Sequence, residues 1–363
     1  MKKDHSYFMN LAMKLALKAK GNTSPNPMVG ALIVKDGRII SSGYHEKAGM
    51  RHAEIIALEE AGKNAKGSRL YVTLEPCTHF GRTPPCVDRI IKSGIKEVIV
   101  GMIDPNPLNN GRGINILKQH KIKVKVGIFE ERLKKINESF IKYITKRIPF
   151  VTVKVAESLD GKIATKLGDS KWITSDRSRV FAHRLRQDYD AIMVGVNTVL
   201  RDNPKLDAWF SKKQLIKIVV DSQLSIPCNA NIFSKNSQVI IVTLPICLGQ
   251  ETENRKMLSQ RARVLEVKEK AGQISLRSMM KKLAQLEITN ILVEGGGTLI
   301  GSLFDEELVD KVLIFISPKI IGGKEAISSV MGKGIAHIEN AIKLKDVKVR
   351  RLGEDLLVEG HVK

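Results

Sequence analysis

One histidine, one glutamate and two cysteines near the start of the chain are of the types that a hydrolytic zinc site needs. They occur in the order His52, Glu54, Cys77 and Cys86. An imidazole and two thiolates would hold Zn²⁺ and leave its fourth tetrahedral position open for water. Such a water ionises near neutral pH and becomes a nucleophile. We expect that Glu54 does not bind the metal but takes a proton from that water and passes it to a leaving amine.

The order of these residues matches the zinc-deaminase pattern H-x-E…P-C-x-x-C with one departure. Pro76 precedes Cys77, as the pattern requires, but eight residues, 78–85, separate Cys77 from Cys86, where the common pattern has two. Two other interpretations stay open at this point. The site could be a closed structural one with His79 as its fourth ligand, or the two cysteines could be buried free thiols.

The surrounding pattern predicts that each of these residues lies at the end of an element. Residues 69–74 are mostly apolar and predict a buried strand that runs directly into Glu75-Pro76-Cys77. The proline pair before Cys86 predicts the start of a helix. Residues two apart point to nearly opposite sides of a regular helix. His52 and Glu54 can therefore face one metal only if His52 lies at the irregular start of a helix over 52–61.

Composition and charge limit the other classes of protein. The 363 residues include 60 Lys and Arg against 38 Asp and Glu, a net charge of +22, which is compatible with nucleic-acid binding. The lysines are spread along the chain without a basic block, however, and this favours anionic small substrates. Four cysteines, two of them predicted ligands, favour the reducing cytoplasm. There is no signal-peptide core, and no apolar run approaches the roughly 20 residues of a membrane span.

The alternation of strand and helix patterns predicts an α/β protein with two domains, 1–147 and 148–363. Residues 130–147 look helical, and the junction is predicted at Ile148-Pro149. Beyond it a second α/β set begins at Phe150. The last segment, about 335–363, alternates charged and apolar residues, which predicts closing antiparallel strands. The predicted strands of the second domain lie at 150–155, 190–195, 216–221, 238–243, 290–294 and 311–316.

Two stretches of the second domain suit ligand binding. In residues 291–300 a strand ends in three glycines that open a helix, so backbone N–H groups are available to a phosphate. Close backbone approach and a positive φ would both explain glycine at Gly296. The other stretch runs from Lys154 to Thr174, where polar residues end a strand and a loop carries Trp172. A tight turn without ligand, and a surface loop with Trp172 covering a core, are the alternatives.

Several motifs together closely resemble the bacterial bifunctional riboflavin-biosynthesis deaminase–reductase family over essentially the whole chain. The long spacing between the two cysteines is also what this family has. The motifs are Ser24-Pro25-Asn26-Pro27-Met28, His52-Ala53-Glu54, Leu74-Glu75-Pro76-Cys77, Gly81-Arg82-Thr83-Pro84-Pro85-Cys86, Asp104-Pro105-Asn106-Pro107, Ser158-Leu159-Asp160-Gly161-Lys162, Asp169-Ser170-Lys171-Trp172 and Val293-Glu294-Gly295-Gly296.

The resemblance implies a cytidine-deaminase-like α/β/α sandwich followed by a dihydrofolate-reductase-like α/β domain. The first would use one zinc ion to remove the 2-amino group of 2,5-diamino-6-(ribosylamino)-4(3H)-pyrimidinone 5'-phosphate. The second would use NADPH to reduce the ribose of the product to a ribityl chain. The implied partner is thus a small pyrimidine ribonucleotide, with no nucleic acid and no membrane, and self-association into a homo-oligomer stays open.

The resemblance also implies residue roles. Zinc falls on His52, Cys77 and Cys86, with Glu54 as the proton shuttle. The substrate contacts implied for the two sites are Asn26, Lys154, Ser170, Arg186, Leu206 and Glu294. The implied NADPH contacts are Ala156, Trp172, Thr198, Asp202, Ser222, Gly296, Gly297, Thr298, Leu299, Ile300, Gly301 and Ser302.

One position departs from the family pattern. The family usually has an arginine three residues beyond Leu206, where this chain has Trp209. An indole cannot replace a guanidinium as a phosphate ligand. Either Lys205, Lys212 or Lys213 supplies a point charge instead, or the reductase site binds its substrate less tightly.

Two other functional classes compete with the bifunctional enzyme. One is a nucleic-acid-editing zinc deaminase with a basic accessory domain, which the charge of +22 alone supports. The other is a non-catalytic binding protein that zinc stabilises.

Overall fold

The computed structural model describes residues 4–80, 84–208, 214–234, 237–245 and 253–363. The chain divides into two compact units, Met1–Arg147 and Ile148–Lys363. None of the helices within the described ranges is both long and apolar enough to cross a membrane.

The first unit contains one mixed sheet in its described residues, in the order β2-β1-β3-β4-β5. Its strands are β1 (Gly30–Lys35), β2 (Arg38–Tyr44), β3 (Arg69–Leu74), β4 (Glu97–Met102) and β5 (Lys123–Val126). Its helices are α1 (His5–Leu17), α2 (Ala53–Ala61), α3 (Cys86–Lys92), α4 (Arg112–Gln119), α5 (Glu130–Ile136) and α6 (Glu138–Lys146). Strand β1 is antiparallel to β2 and β3, whereas β3, β4 and β5 are parallel.

Two glycines show that helices cover both faces of this sheet. A Cβ on Gly30 would lie 2.0 Å from the carbonyl oxygen of Ala12 in α1. A Cβ on Gly43 would lie 2.5 Å from the carbonyl oxygen of Ala53 in α2. Gly43 pairs with Ala31, and neighbours along a strand point to opposite faces. Helices α1 and α2 therefore pack on opposite faces, which makes the unit an α/β/α sandwich.

The helix predicted over 130–147 is two helices, because Asn137 interrupts it. The backbone of Asn137 has φ −109° and ψ 20°, outside helical values. Its side chain is committed elsewhere: Oδ1 accepts from the N–H of Met28 at 2.8 Å, and Nδ2 donates to the carbonyl of Met28 at 3.1 Å. The interruption thus secures the segment that leads into β1.

The second unit contains a large sheet that is mostly parallel. In the described residues its order is β11-β10-β9-β8-β14-β6-β15-β18-β17, with β18 antiparallel to both neighbours. Two further pairs, β12 with β13 and β16 with β7, form separate two-stranded sheets. The strands of the unit are β6 (Phe150–Ser158), β7 (Lys162–Ala164), β8 (Ala191–Gly195), β9 (Ile216–Val220), β10 (Gln238–Thr243), β11 (Arg263–Glu266), β12 (Glu269–Lys270), β13 (Gln273–Ile274), β14 (Asn290–Val293), β15 (Lys311–Ser317), β16 (Ile327–Ser328), β17 (Leu344–Leu352) and β18 (Asp355–Val362). The helices are α7 (Asp176–Leu185), α8 (Val196–Asp202), α9 (Glu253–Ser259), α10 (Leu276–Gln285) and α11 (Gly297–Asp305).

The six strands predicted for this unit are confirmed, whereas the short strands β7, β11, β12, β13 and β16 were not predicted. The closing strands also begin later than expected. The closing hairpin β17–β18 begins only at Leu344, although alternation was expected from about 335. Residues 335–343 are mostly exposed and make local turn bonds, such as the one from the N–H of Asn340 to the carbonyl of His337 at 3.0 Å. Residues 335–343 pair with no strand among the described residues, whereas β17, which is just as exposed, is held by its antiparallel pairing with β18.

Candidate active sites of the two units

His52 and Glu54 lie at the start of α2, which begins one residue after the histidine. His52 is the residue before the helix, with an extended backbone of φ −73° and ψ 157°. Glu54 is in the first turn and is buried. The sequence required His52 to lie at the irregular start of the helix, and this is confirmed, since its backbone is not helical.

The two cysteines come from different elements that meet at this point. Cys77 follows the end of β3, and Cys86 is the first residue of α3. The N–H of Cys86 donates to Sγ of Cys77 at 3.4 Å, and the N–H of Val87 donates to the carbonyl of Cys77 at 3.3 Å. The first turn of α3 thus holds the loop that carries Cys77.

These three side chains form a cluster that suits a metal ion. Nδ1 of His52 lies 3.1 Å from Sγ of Cys86 and 3.5 Å from Sγ of Cys77. All three ligand atoms lie within 4.8 Å of one another, and the described residues contain no other His, Cys, Asp or Glu group of this kind. One nitrogen and two sulfur donors fit zinc. His79 does not belong to the cluster, so a closed site with His79 as fourth ligand gains no support.

Burial and neighbouring groups change the proton affinities in this cluster. Burial raises the pKa of Glu54 to about 7, although the nearby His52 opposes the shift. A hydrogen bond with Cys86 lowers the pKa of Cys77, while the same bond raises the pKa of Cys86. In the protein alone, therefore, the Cys77 thiolate is the favoured one.

His45, a residue that was not predicted from the sequence, links Asn26 to this cluster. Nε2 of His45 lies 3.0 Å from Nδ2 of Asn26, and its Nδ1 lies 3.1 Å from the carbonyl oxygen of Arg51. The ring packs edge-on against His52, with centroids 5.3 Å apart. Burial lowers the pKa of His45, and a neutral ring can accept from the amide while donating to the carbonyl. His45 directly follows β2, whose end at Tyr44 only the structure shows, so the sequence carried no clear signal for it.

Glu75 is a second residue whose role was not predicted. It is buried, and its carboxylate gathers four backbone N–H groups of the segment 104–114. The donors are Asp104 at 3.1 Å, Gly111 at 2.9 Å, Gly113 at 2.9 Å and Ile114 at 3.3 Å. Asn109 completes the link by donating to the carbonyl of Pro76 at 3.2 Å. Glu75 and Asn109 thus position the loop of Cys77.

In the second unit, most of the expected NADPH contacts follow the carboxyl ends of neighbouring parallel strands. Ala156 is near the end of β6, Thr198 and Asp202 are in α8 after β8, and Ser222 follows β9. The glycine turn follows β14, which lies between β8 and β6. Such an edge is where open α/β sheets bind ligands. Oγ1 of Thr198 lies 3.7 Å from where a Cβ on Gly296 would be, so these two segments meet.

The glycine turn differs from expectation in its backbone. Gly296 has φ −68° and ψ 162°, so the positive φ expected there was wrong. Packing instead requires glycine at Gly297 and Gly301, where a Cβ would lie 2.2 Å from the carbonyl of Ser328 and 1.4 Å from that of Met331. The expected contacts at Leu299 and Ile300 could involve only their backbone, because both side chains are buried in the core, whereas Thr298 is exposed and Ser302 half-buried.

Lys154, Arg186 and Glu294 form a buried charged cluster at the same edge. Arg186 donates to both carboxylate oxygens of Glu294, at 2.9 and 3.1 Å, and Nζ of Lys154 lies 3.4 Å from Oε2. Burial opposes ionisation of Glu294, but the two cations outweigh it and lower its pKa to about 2. His183, which was not predicted, lies 3.1 Å from Arg186, and burial beside that cation lowers its pKa to about 4.

The remaining predicted positions lie in loops of the second unit. Trp172 is 62% exposed, so it does not cover a core, and the guanidinium of Arg179 lies 4.3 Å from its ring centre. Ser170 is half-buried, and Leu206 is buried with a left-handed φ of 57°. Lys205 is exposed. Trp209, Lys212 and Lys213 lie outside the described residues.

The fold and the donor set define a class: a zinc-binding deaminase unit joined to a reductase unit. Residues 2–102 match the model of the cytidine and deoxycytidylate deaminase zinc-binding region, and residues 149–358 match the RibD C-terminal domain.

The similarity to known proteins extends over essentially the whole chain. The riboflavin biosynthesis protein RibD of Aquifex aeolicus is 46% identical over 97% of this chain and 96% of its own. The structure of Acinetobacter baumannii RibD is similar with a TM-score of 0.88 and 32% identity, covering 100% of both chains. A Thermotoga maritima diaminohydroxyphosphoribosylaminopyrimidine deaminase/5-amino-6-(5-phosphoribosylamino)uracil reductase is similar with a TM-score of 0.86 and 38% identity, covering 99% of both.

The chain belongs to the RibD family of riboflavin biosynthesis proteins. It is a bifunctional enzyme of this pathway, with a zinc-dependent deaminase and an NADPH-dependent reductase. The cytidine-deaminase-like and reductase-like folds expected from the sequence are confirmed. The nucleic-acid-editing alternative is not favoured, because the similarity covers both units.

Proposed function

We propose that the first unit hydrolyses the 2-amino group of 2,5-diamino-6-(ribosylamino)-4(3H)-pyrimidinone 5'-phosphate. The second unit then reduces the ribose of the product to a ribityl chain with NADPH. The observation that carries the proposal is the cluster of His52, Cys77 and Cys86 beside the buried carboxylate of Glu54. A nucleophile and a proton carrier are the two functions that hydrolytic deamination requires.

In the deaminase site, His52, Cys77 and Cys86 would hold the zinc ion. Zinc, when bound, supplies the Lewis acidity that activates water near neutral pH. Glu54 takes the proton of the attacking water and transfers it to the leaving amine. Asn26 holds the pyrimidine ring, and His45 fixes the orientation of the Asn26 amide through their 3.0 Å contact. Glu75 positions the loop of Cys77 through its bonds to the backbone of the segment 104–114.

In the reductase site, the charged cluster binds and orients the sugar phosphate. NADPH, when bound, supplies the hydride. Arg186 is held by Glu294 and also donates to the carbonyl of Asp207 at 2.8 Å, which ties it to the loop that contains Leu206. Lys154 offers N–H donors to a ribose hydroxyl or a phosphate. Ser170 completes the proposed substrate contacts.

The proposed cofactor contacts follow the carboxyl edge of the sheet. The half-buried Thr198 and the glycine turn lie close enough for one phosphate group to bridge them. The contacts that we assign to NADPH are Ala156, Trp172, Thr198, Asp202, Ser222 and Gly296 to Ser302.

We further propose that the activities divide between 1–147 and 148–363, that the protein works in the cytoplasm, and that its ligands are small nucleotides without nucleic-acid or membrane partners. The described cysteines, Cys77, Cys86 and Cys228, are all free, which supports a reducing compartment. Self-association stays a prediction.

One assay with two readouts tests the proposal. Ammonia release and NADPH consumption are followed with the pyrimidine nucleotide, cytidine and tRNA as substrates. We expect both signals with the pyrimidine nucleotide alone. Glu54→Gln should abolish ammonia release, and Glu294→Gln should abolish NADPH consumption while ammonia release continues. Because the reductase acts on the deaminated product, Glu54→Gln should also stop NADPH consumption from the undeaminated nucleotide, but not from the deaminated product supplied directly. Release of ammonia from tRNA, loss of ammonia release in Glu294→Gln, or loss of NADPH consumption from the deaminated product in Glu54→Gln would contradict the assignment.

A further inference from the structure

The second unit has a polar hollow whose lining residues have no role in the sites described above. It has a volume of about 340 Å³ and is lined by Lys166, Leu167, Gly168 and Arg201. Lys166, Leu167 and Gly168 belong to the loop between β7 and Ser170. Arg201 is on α8, between Thr198 and Asp202. The hollow therefore lies between two segments to which we assign substrate and cofactor contacts.

The charges around this hollow are unbalanced. Among the described residues, its lining contains two cations and no acidic residue. In the described part of the chain, neither Lys166 nor Arg201 forms an ion pair or a side-chain hydrogen bond, whereas Arg186 and Lys154 of the same unit both pair with Glu294. Two cations facing one hollow repel each other unless an anion lies between them.

The loop that carries Lys166 has a defined turn. The N–H of Gly168 donates to the carbonyl of Thr165 at 2.9 Å, and the N–H of Thr165 donates to the carbonyl of Asp169, also at 2.9 Å. Arg201 approaches this turn, since one guanidinium nitrogen lies 3.8 Å from where a Cβ on Gly168 would be. The turn therefore places Lys166 on the same hollow that Arg201 reaches from α8.

We propose that Lys166 and Arg201 bind a phosphate group of a reductase ligand. A guanidinium presents a planar pair of donors to phosphate oxygens, and an ammonium adds a point charge. The inference rests on the proposed reductase function, in which both ligands carry phosphate. The group belongs either to the 5'-phosphate of the nucleotide substrate or to the phosphates of NADPH.

The test measures ligand binding as well as turnover. Lys166→Gln, Arg201→Gln and the double variant are titrated with NADPH, NADH, inorganic phosphate and the nucleotide product, and are assayed with nucleotide substrate. We expect the double variant to weaken one phosphate ligand roughly 5- to 30-fold, since the cations are exposed to solvent. The turnover number should stay within about twofold, and added salt should reduce the difference from wild type.

The pattern of losses identifies the source of the phosphate. A weakened nucleotide with unchanged NADPH assigns the site to the 5'-phosphate, and a dephosphorylated nucleotide should then be insensitive to the variants. A weakened NADPH with unchanged NADH assigns it to the 2'-phosphate. Equal weakening of NADPH and NADH assigns it to the pyrophosphate.

Controls separate this inference from the proposed function. Arg263→Gln and Lys281→Gln remove exposed cations elsewhere in the same unit and should change no affinity. Arg201→Lys, which keeps the charge, should recover part of the binding. If the double variant binds every phosphate ligand like wild type, the inference is wrong, although the reductase assignment stands when wild type consumes NADPH. If wild type consumes none, the reductase assignment fails, and the binding titrations still decide the phosphate site.

Discussion

Arg186 and Glu294 are joined in the second unit by two charge-assisted hydrogen bonds, of 2.9 and 3.1 Å, although 108 residues separate them. Their side chains are only 10% and 9% exposed. The attraction within such a pair adds little to the free energy of unfolding, because both charges are desolvated on folding. Removing one partner costs more, because it leaves the other charge buried and unpaired. The pair therefore holds the proposed substrate site in one geometry.

Stability should depend on pH through Glu294. Its pKa is about 2 in the folded protein, below the ordinary value of 4.5, so the folded state favours the ionised form. The resulting stability is fully present above about pH 4.5 and is lost as the pH falls toward 2. Urea unfolding of the second unit should show a smaller loss over this window in Glu294→Gln than in wild type. Equal pH slopes would contradict the assignment.

Removing only one charge of the pair should be the most harmful change. Arg186→Met leaves the Glu294 carboxylate with Lys154 alone and should cost about 3–5 kcal/mol of unfolding free energy. Arg186→Met combined with Glu294→Gln should cost less, because no unbalanced carboxylate remains. A double-mutant cycle by denaturant unfolding measures the coupling. Strictly additive losses would show that the two side chains act independently.

Zinc should depend on the cluster in the first unit. Cys86→Ser removes one of three ligands and should lose most of the bound metal together with deamination. NADPH consumption with the deaminated intermediate should continue, since the reductase residues lie in the other unit. Metal analysis and the two assays are compared with Cys228→Ser, a cysteine outside the cluster. Full zinc content and normal ammonia release in Cys86→Ser would rule out the ligand assignment.

Glu54→Gln should separate metal binding from proton transfer. Glutamine keeps the size of the side chain but cannot carry a proton, so zinc content should stay normal. Ammonia release should fall roughly 10²- to 10⁴-fold, the usual contribution of a general acid–base group. A wild-type rate would remove Glu54 from the mechanism, and loss of zinc would instead make it a structural partner of the ligands.

The glycine turn offers a contrast between two alanine substitutions. Gly301→Ala places a Cβ 1.4 Å from the carbonyl of Met331 and should destabilise the second unit by about 3 kcal/mol. Among the described residues, a Cβ in Gly296→Ala would meet only Oγ1 of Thr198, at 3.7 Å, so this variant should stay within about 0.5 kcal/mol of wild type. NADPH should stabilise wild type by about 2.7 kcal/mol at a hundredfold excess over its Kd. Thermal unfolding with and without NADPH measures both effects, and equal stability of the two variants would refute the packing explanation.

Much of the site could be predicted from local sequence. The types of His52, Glu54, Cys77 and Cys86 limit the chemistry whatever the fold, since few side chains bind zinc or transfer protons. The strand at Arg69–Leu74 and the helix start at Cys86 also followed from local patterns, because apolar runs and proline positions act within a few residues. The need for His52 to precede its helix followed from helical geometry alone.

Tertiary structure decided which distant residues meet. The contact of His45 with Asn26, the four backbone donors gathered by Glu75 and the pairing of Arg186 with Glu294 all depend on sheet order and loop paths, which local patterns do not specify. The same holds for Asn137, which ends a helix because Met28 offers its side chain better partners. The sequence by itself determined the chemistry and most elements, because side-chain type and hydrophobic period are local properties. The structure alone decided orientation, burial and the reason for each glycine, because these depend on neighbours that are far away in the chain.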